Sequence, residues 1–292
     1  MYSLHDLKIT GLSLDRILSC EIESHIGEHS TLMLGGYVDN EEELLFGVPD
    51  CQDIEVSIQD KDGIKILFSG IVSNIQITEA GQMKTAWIEG KSRSWLMDRR
   101  KHSRSFQDPQ TSYQALAEEI LKDYEKSSLI YAGECRQTGG LLIQYEETDW
   151  VFLKRVLSKA GLLLTPDSRV PGISLYAGVP AFPESAVFYS VLAMNKDMRS
   201  YYYLKASKRM VHPADFTQYV IASEQLMGIF ETALIQGQSL AAYACRYSFD
   251  AQELTGTYWM QGKKGLSVQT SYPMHLIGAA LMAKVVNVQK NL

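Results

Sequence analysis

Residues 54–68 read I-E-V-S-I-Q-D-K-D-G-I-K-I-L-F, two runs of alternating apolar and polar residues joined by a turn sequence. Successive side chains of a β-strand point to opposite faces, so each run predicts a strand with one buried face. The Asp-Lys-Asp-Gly segment at 60–63 predicts the hairpin turn between them. The alternation continues through Ile77 to a second turn at 79–82 and a further strand around Trp87. This stretch therefore predicts a meander of short antiparallel strands.

The residues before it have the same strand character. Alternating patterns at 20–25 and 31–38 predict two strands that meet near Gly27, and the acidic segment 39–43 predicts a loop after them. Five or more short strands in fewer than about 100 residues favour a small barrel over a flat sheet. We therefore predict a first β-barrel domain over residues 1–97.

The spacing of apolar residues becomes helical in the middle of the chain. Apolar positions recurring every three or four residues predict helices over 113–124 and 148–161, with a strand at 141–145 between them. Residues 98–178 are therefore predicted to form an inserted α/β domain. Its expected helix caps are Thr111 or Ser112 for the first helix, and Thr148 and Gly161 for the second.

Strand patterns return in the last third of the chain, which predicts a second β-rich domain over 179–292 with a strand able to return to the first barrel. The closing run at 283–290 also has a strand pattern that stops with the sequence, and it suggests a further domain after it. Glycines between the other candidate strands mark turns. Those candidates are 201–204, 216–223, 243–249, 254–259 and 266–268.

The composition is that of a globular protein, with 46% hydrophobic and 21% charged residues. No apolar run approaches the roughly 20 residues that span a bilayer. The first residues lack the basic and apolar regions of a secretory signal. Isolated cysteines favour free buried thiols in a reducing cytoplasm over disulfides or a zinc site. These cysteines are Cys20, Cys51, Cys135 and Cys245.

Charge is unevenly distributed along the chain, whose net charge is −6. Residues 1–60 contain 13 acidic and 2 basic side chains, whereas residues 61–110 contain 5 acidic and 9 basic ones. One interpretation is that neighbouring copies present complementary acidic and basic faces. The other interpretation is that these charges only solvate two sides of a domain.

No segment has the spacing of a metal, nucleotide or nucleophile site. His25 and His29 are four residues apart, but the strand pattern around Gly27 excludes the helix that would place both on one face. Lys84 and Thr85 follow a β-turn and lack the glycines of a phosphate-binding loop. We predict no catalytic, cofactor-binding or metal-binding residues.

Two charged clusters have both a functional and a structural interpretation. Glu146, Glu147 and Asp149 could supply an acid–base pair, but they lie where a helix dipole favours carboxylates. A basic run could suggest nucleic acid, but the chain is acidic and few aromatic residues interleave with the run, which favours a solvated or protein-contact surface. This run consists of Arg93, Arg99, Arg100, Lys101 and Arg104.

The most distinctive motif is I-Q-Y-E-E-T-D-W-V-F-L-K-R at 143–155. It resembles the helix start Q-Y-x-E-T-D-W-x-F-L-x-R of the VgrG and phage late-control D family, which includes the baseplate hubs of contractile phages. The segment L-F-S-G-I-V at 67–72 resembles an F-x-G-x-V strand of that family's first barrel. Weaker likenesses at 106–114, 219–223 and 278–285 occur in the family's order.

The resemblance implies an α+β, mainly β fold, in which two small β-barrels (tube domains) flank an inserted α/β unit. It implies a homotrimeric ring whose six barrels join a six-fold tail tube to a three-fold spike, because two equivalent units per subunit can absorb that symmetry mismatch. The implied partners are therefore tail tube and spike proteins. Nucleic acid, a small-molecule substrate and a cofactor are not expected, and a membrane would be met only through the assembled machine. The implied location is the bacterial cytoplasm during assembly, then a phage virion or tail-like particle.

Two alternatives to this non-enzymatic hub remain at the level of the sequence. One is a VgrG-like spike protein of a type VI secretion system, which belongs to the same family. The other is a cell-wall hydrolase with a site near Glu146 and Asp149.

Overall fold

The computed structural model describes residues 2–284 except 4–5, 61–62, 82, 208, 251–252, 279, 281 and 283. The strand predicted at 283–290 lies outside the described residues, apart from Lys284. The described residues of the first part of the chain form nine strands and three α-helices, which confirms the mainly β class. They are β1 (Leu7–Thr10), β2 (Arg16–His25), β3 (Thr31–Tyr37), α1 (Glu41–Phe46), β4 (Asp53–Asp60), β5 (Gly63–Ala80), β6 (Met83–Ser92), β7 (Lys101–Phe106), α2 (Tyr113–Leu121), β8 (Ser127–Ala132), β9 (Leu142–Thr148) and α3 (Asp149–Lys159).

The rest of the described chain adds eight strands and one α-helix. They are β10 (Leu164–Pro166), β11 (Ile173–Gly178), β12 (Glu184–Ser185), β13 (Ser190–Lys196), α4 (Met198–Ala206), β14 (Thr217–Ser223), β15 (Thr232–Ile235), β16 (Gln238–Asp250) and β17 (Glu253–Gln261). None of the helices within the described ranges is long and apolar enough to cross a membrane.

Twelve strands form one large sheet in the order β1-β4-β5-β6-β3-β2-β16-β17-β14-β13, with β15 paired to β16 and β12 paired to β15. Strands β4, β5 and β6 are the predicted meander. Strand β16 pairs antiparallel with β2, so Tyr247 lies opposite Ile22. Both residues are buried in a core that continues under both halves of the sheet, from Phe68 to Tyr258. The two β-rich regions are therefore joined through direct strand pairing.

The two halves of the large sheet repeat one topology. The order β1-β4-β5-β6-β3-β2 corresponds strand by strand to β12-β15-β16-β17-β14-β13. Hairpins β5–β6 and β16–β17 also share a register, because each shifts at the same distance from its loop, at Ser73 in one and at Tyr243 in the other. The outermost pairs differ, since β1 is antiparallel to β4 and β12 is parallel to β15. The repetition is consistent with two related barrels, and the boundaries at 97 and 179 stay predictions.

The insert packs α2 and α3 with two small sheets, β10-β11-β8 and β7-β9. The predicted N-caps are confirmed. Ser112 Oγ accepts from the Ala115 N–H at 3.1 Å, and Thr148 Oγ1 accepts from the Val151 N–H at 3.3 Å. After α3, Gly161 adopts φ +75°, a left-handed conformation that favours glycine at a helix end.

Three sequence predictions are wrong. The predicted strand at 201–204 lies in helix α4, because Asp197 caps the helix and Tyr201 and Leu204 bury one turn apart against Phe216. The segment 266–268 follows a 3₁₀ turn and joins no strand of the described chain. The predicted acidic loop at 39–43 runs into α1, whose first turn is acidic and capped by Asn40.

Candidate functional site

The motif that carries the family resemblance lies where β9 turns into α3. Glu146 has φ +50° and lies in a bulge of β9, where Tyr145 and Glu146 stand opposite the single residue Ser103 of β7. The Glu146 N–H donates to Ser103 Oγ at 3.3 Å. Its side chain is exposed. The polar residues on either side of it, Gln144, Glu147 and Asp149, are buried. The motif therefore places an unusual density of buried polar groups at one turn of the chain.

Asp149 is the centre of this buried network, and its side chain has no exposed surface. The carboxylate accepts hydrogen bonds from Arg104, from Gln144 Nε2 at 2.8 Å and from the Tyr124 hydroxyl at 2.8 Å. His102 Nε2 lies 3.7 Å from it. Burial, followed by the hydrogen bond to Asp149, raises the pKa of Tyr124 above its ordinary value. The donors satisfy the carboxylate, as a buried charge requires.

Glu147 forms a second buried ion pair. Its two oxygens accept from Arg155 Nε at 2.8 Å and Arg155 Nη2 at 2.6 Å, and Arg155 Nη2 also donates to the Ile143 carbonyl at 2.8 Å. Only 6% of the Glu147 side chain and 4% of the Arg155 side chain are exposed. The bidentate geometry fixes α3 against the strand that precedes it.

These partners give the acidic cluster a structural role. A general acid or base must reach its substrate within hydrogen-bond distance. Asp149 is buried inside the insert and its oxygens already accept hydrogen bonds, whereas the Glu146 side chain is exposed to solvent. Nothing in the described part of the chain supports an acid–base pair of Glu146 with Asp149. The helix-dipole explanation accounts for Asp149 at the start of α3, but its complete burial depends on Arg104.

The start of α3 also docks the insert onto the first half of the large sheet. His29, in the β2–β3 turn, packs against Trp150 with ring centroids 4.2 Å apart and an angle of 37° between the ring planes, and its Nδ1 lies 2.8 Å from Ser94 Oγ. Its Nε2 has no hydrogen-bond partner among the described residues, and Asp98 Oδ2 lies 3.6 Å away. Burial lowers the pKa of His29 to about 4, so the ring is neutral at physiological pH.

Gly27, in the same turn, is held by the insert through both of its backbone groups. Its N–H donates to Thr165 Oγ1 at 3.1 Å, and its carbonyl accepts from Lys154 Nζ at 2.6 Å. Lys154 also lies over the Trp150 ring at 5.7 Å. Trp150 and Lys154, four residues apart on α3, therefore form the docking face. The motif suggested this helix, but the partners in the β2–β3 turn were not foreseen.

A second junction joins the insert to both halves of the sheet through the turn after β10. The Ser168 carbonyl accepts from the Ser69 N–H of β5 at 2.6 Å, and Arg169 pairs with Glu231 beside β15 at 2.7 Å. Arg169 lies so close to Gly228 that a Cβ there would come within 2.0 Å of its guanidinium carbon. No sequence pattern indicated this contact, because its members are far apart along the chain.

Part of the basic run pairs with acidic residues of the segment 1–60, and part pairs with carboxylates of the insert, all within one molecule. Arg93 pairs with Asp53, and Arg104 pairs with Asp149 and Asp123. Arg99 Nη2 lies 3.7 Å from Asp50. These pairs satisfy part of the charge asymmetry inside the chain, an arrangement that neither sequence interpretation anticipated.

The remaining sequence candidates are dispersed. His25 is exposed and its Nδ1 lies 2.9 Å from the Ile26 carbonyl. It lines the same cavity as His29, but the two belong to no metal-holding group among the described residues. Lys84 pairs with Glu41 from its position on a strand. In the residues that the structure describes, no three His, Cys, Asp or Glu side chains are grouped to hold a metal ion. All four cysteines are free; Cys20 and Cys245 are buried as expected, whereas Cys135 is exposed.

The fold and the motif resemble those of phage tail baseplate hubs and related tail proteins. Residues 51–169 match the sequence model of the phage tail baseplate hub (GPD) family, a span that includes the 143–155 motif. The resemblance read from the sequence is therefore confirmed. A comparison with curated protein sequences gives no match.

Solved structures share the fold at low sequence identity. The E. coli c3393 protein, described as a component of the type VI secretion system, is 15% identical over 91% of this chain and 80% of that chain, with a TM-score of 0.70. A 43 kDa tail protein of prophage MuSo2 from Shewanella oneidensis is 10% identical over 91% of this chain and 98% of that chain, with a TM-score of 0.67. A tail protein from Neisseria meningitidis is 10% identical over 88% of this chain and 95% of that chain, with a TM-score of 0.64. At these identities the likeness establishes the fold, and the family match supports a structural hub role.

Proposed function

We propose that this chain is a structural subunit of a baseplate hub, in which three copies form a ring between the tail tube and the central spike of a contractile particle. The match of residues 51–169 to the phage tail baseplate hub family carries this proposal. The buried ion pairs of the 143–155 motif support it, because they use the acidic residues to fix the insert. The same observations point to a protein without catalytic function.

The repeated topology of the large sheet supports the ring. A subunit with two similar units presents two similar surfaces, so three subunits can offer six related positions to a six-fold tube while keeping three-fold symmetry toward a spike. The insert is bonded to both halves of the sheet through Ser168 and Arg169. It thereby fixes the angle between the two units, which a ring of defined size requires.

The test has two readouts. Light scattering of the purified chain is expected to give about three times its mass of 32.8 kDa, and electron microscopy is expected to show a ring with six lobes. In particles from the source cell, gold-labelled antibodies against this chain should bind at the baseplate end of the tail. Labelling along the sheath, or no labelling of particles, would contradict the hub role.

A VgrG-like spike protein of a type VI secretion system is the second candidate. The likeness in fold to the E. coli c3393 protein favours it. The two candidates differ in the particle that contains the chain, so the labelling experiment also separates them.

A further inference from the structure

Strand β13 ends the large sheet with an uncovered apolar surface. All seven of its residues are exposed, although its neighbour β14 is half buried. Residues opposite each other on paired strands share a face of the sheet. Met194 lies opposite the buried Tyr219, and Val191 lies opposite the buried Ile221. Met194 is nevertheless 64% exposed and Val191 36% exposed, so among the described residues two core-facing apolar side chains are left uncovered.

The outer half of β5 has a matching unpaired edge. Strand β4 pairs with residues 63–71 of β5, whereas residues 74–80 pair with β6 alone among the described strands. The equivalent strand in the second half of the sheet, β16, is paired along both of its parts. Its first residues pair with β15, and residues 244–248 pair with β2.

The pairing of β2 with β16 is thus the junction between the two topological repeats. By strand order, β13 is the counterpart of β2, and β5 is the counterpart of β16. We propose that β13 of one copy of this chain pairs with residues 74–80 of β5 in the next copy, reproducing the internal junction between subunits. The proposal rests on the hub function above and identifies the surfaces that close its ring.

The register of this contact follows from the repeats. The shared register of the two hairpins puts Ile77 in the place of Tyr247. Counting across the paired strands from these hairpins puts Met194 in the place of Ile22. Since Ile22 and Tyr247 are opposite each other and buried, Met194 is expected to bury against Ile77 of the neighbour.

The polar face of the contact agrees with this register. One residue further along, the internal junction pairs Glu23 with Arg246 at 2.7 Å. The corresponding residues between copies are Asn195 and Gln76, two exposed amides that can hydrogen-bond to each other. The alternation of apolar and polar pairs is therefore kept, whereas a shift by one residue would place Met194 on the wrong face.

The contact joins unlike edges, and that decides the assembly. Pairing of β13 with β13 would use the same edge twice and end at a two-fold dimer. Pairing of β13 with β5 leaves a free β5 edge on one copy and a free β13 edge on the other, so the contact repeats until a ring closes. Three copies would then contain three internal and three external junctions of one design.

The experiment is disulfide cross-linking of the full chain in a C51S/C135S background, which removes the half-buried thiol of Cys51 and the exposed thiol of Cys135. In the variant M194C/I77C, oxidation is expected to give covalent species up to the trimer on non-reducing gels. Opposed Cβ atoms on paired strands lie about 4.5–5.5 Å apart, close to the separation a disulfide needs. The control M194C/T78C shifts one cysteine to the opposite face and is expected to stay uncross-linked, although Thr78 is exposed.

Each of the remaining outcomes overturns the inference in a way that can be distinguished from the others. A trimer by light scattering without cross-linking of M194C/I77C would reject the β13–β5 contact and leave the hub proposal standing. Dimers from M194C alone would indicate β13–β13 pairing. A chain that is monomeric at every concentration and absent from particles would reject both proposals. As a second variant, M194K should reduce the trimer to monomers that keep the circular dichroism spectrum of the folded chain, whereas M210K, at a 96% exposed methionine outside the strand, should leave the trimer intact.

Discussion

Phe152 tests whether the core of the insert is organised as described. Its side chain is fully buried, stacks on Phe106 with centroids 5.5 Å apart and lies under the Arg155 guanidinium at 5.1 Å. Truncation to alanine removes the ring and leaves a cavity, which costs about 3–5 kcal/mol. The ring pair itself supplies about 0.5–1.5 kcal/mol of that loss. We therefore expect F152A to lower the free energy of unfolding by about 3–5 kcal/mol.

The assay is urea unfolding followed by circular dichroism, with tryptophan fluorescence as a second probe of cooperativity. The matched control is V151A, one residue earlier on the same helix, where the side chain is 45% exposed and a change within about 0.5 kcal/mol is expected. A double-mutant cycle with F106A isolates the ring pair. A loss below about 1 kcal/mol for F152A would mean that this face of α3 is not the core.

Three further variants test the junctions. R155M leaves the buried carboxylate of Glu147 without its partner and should lower the free energy of unfolding by about 3–5 kcal/mol in the same urea assay. R155M/E147L, which removes both charges, should recover much of that loss. The pKa of His29 is depressed from 6.5 to about 4, so the folded state binds fewer protons than the unfolded state in that window. Stability should be complete above pH 6.5 and fall toward pH 4, and an H29N variant should show a shallower decline in thermal melts. G228A forces Arg169 to move and should cost about 1–3 kcal/mol, whereas G140A, with open space around its Cβ, should change the melting temperature little.

Local structure was predictable where neighbouring residues determine it. The strands on either side of residues 61–62, the alternation around Ile77 and the N-caps Ser112 and Thr148 all depend on interactions within a few residues, and the structure has the expected elements there. The helix of the 143–155 motif was predicted for the same reason. The burial of Asp149 was not predicted, because the helix-dipole argument concerns the backbone alone and does not include the ion pair of Asp149 with Arg104.

Long-range partners were outside the reach of the sequence patterns. Residues 201–204 have a strand composition, yet the Asp197 cap and the contact with Phe216 make them helical, so tertiary packing overrides propensity. The contact of His29 with Trp150 and the contact of Arg169 with Gly228 each join separate elements of the fold. No periodicity or spacing in one sequence records such a contact.

The pairing of β2 with β16 has a consequence for the synthesis of the chain. Residues 21–25 find their partners at 244–248, near the end of the described sequence. At about 5–20 residues per second, a ribosome needs roughly 10–45 s to make the intervening segment. During that interval the edge of β2, which includes the apolar Ile22, lacks its partner strand β16 on the nascent chain. Mutations that slow translation of the last third, or chaperones that cover an open strand edge, should therefore change the soluble yield of this protein more than its final stability.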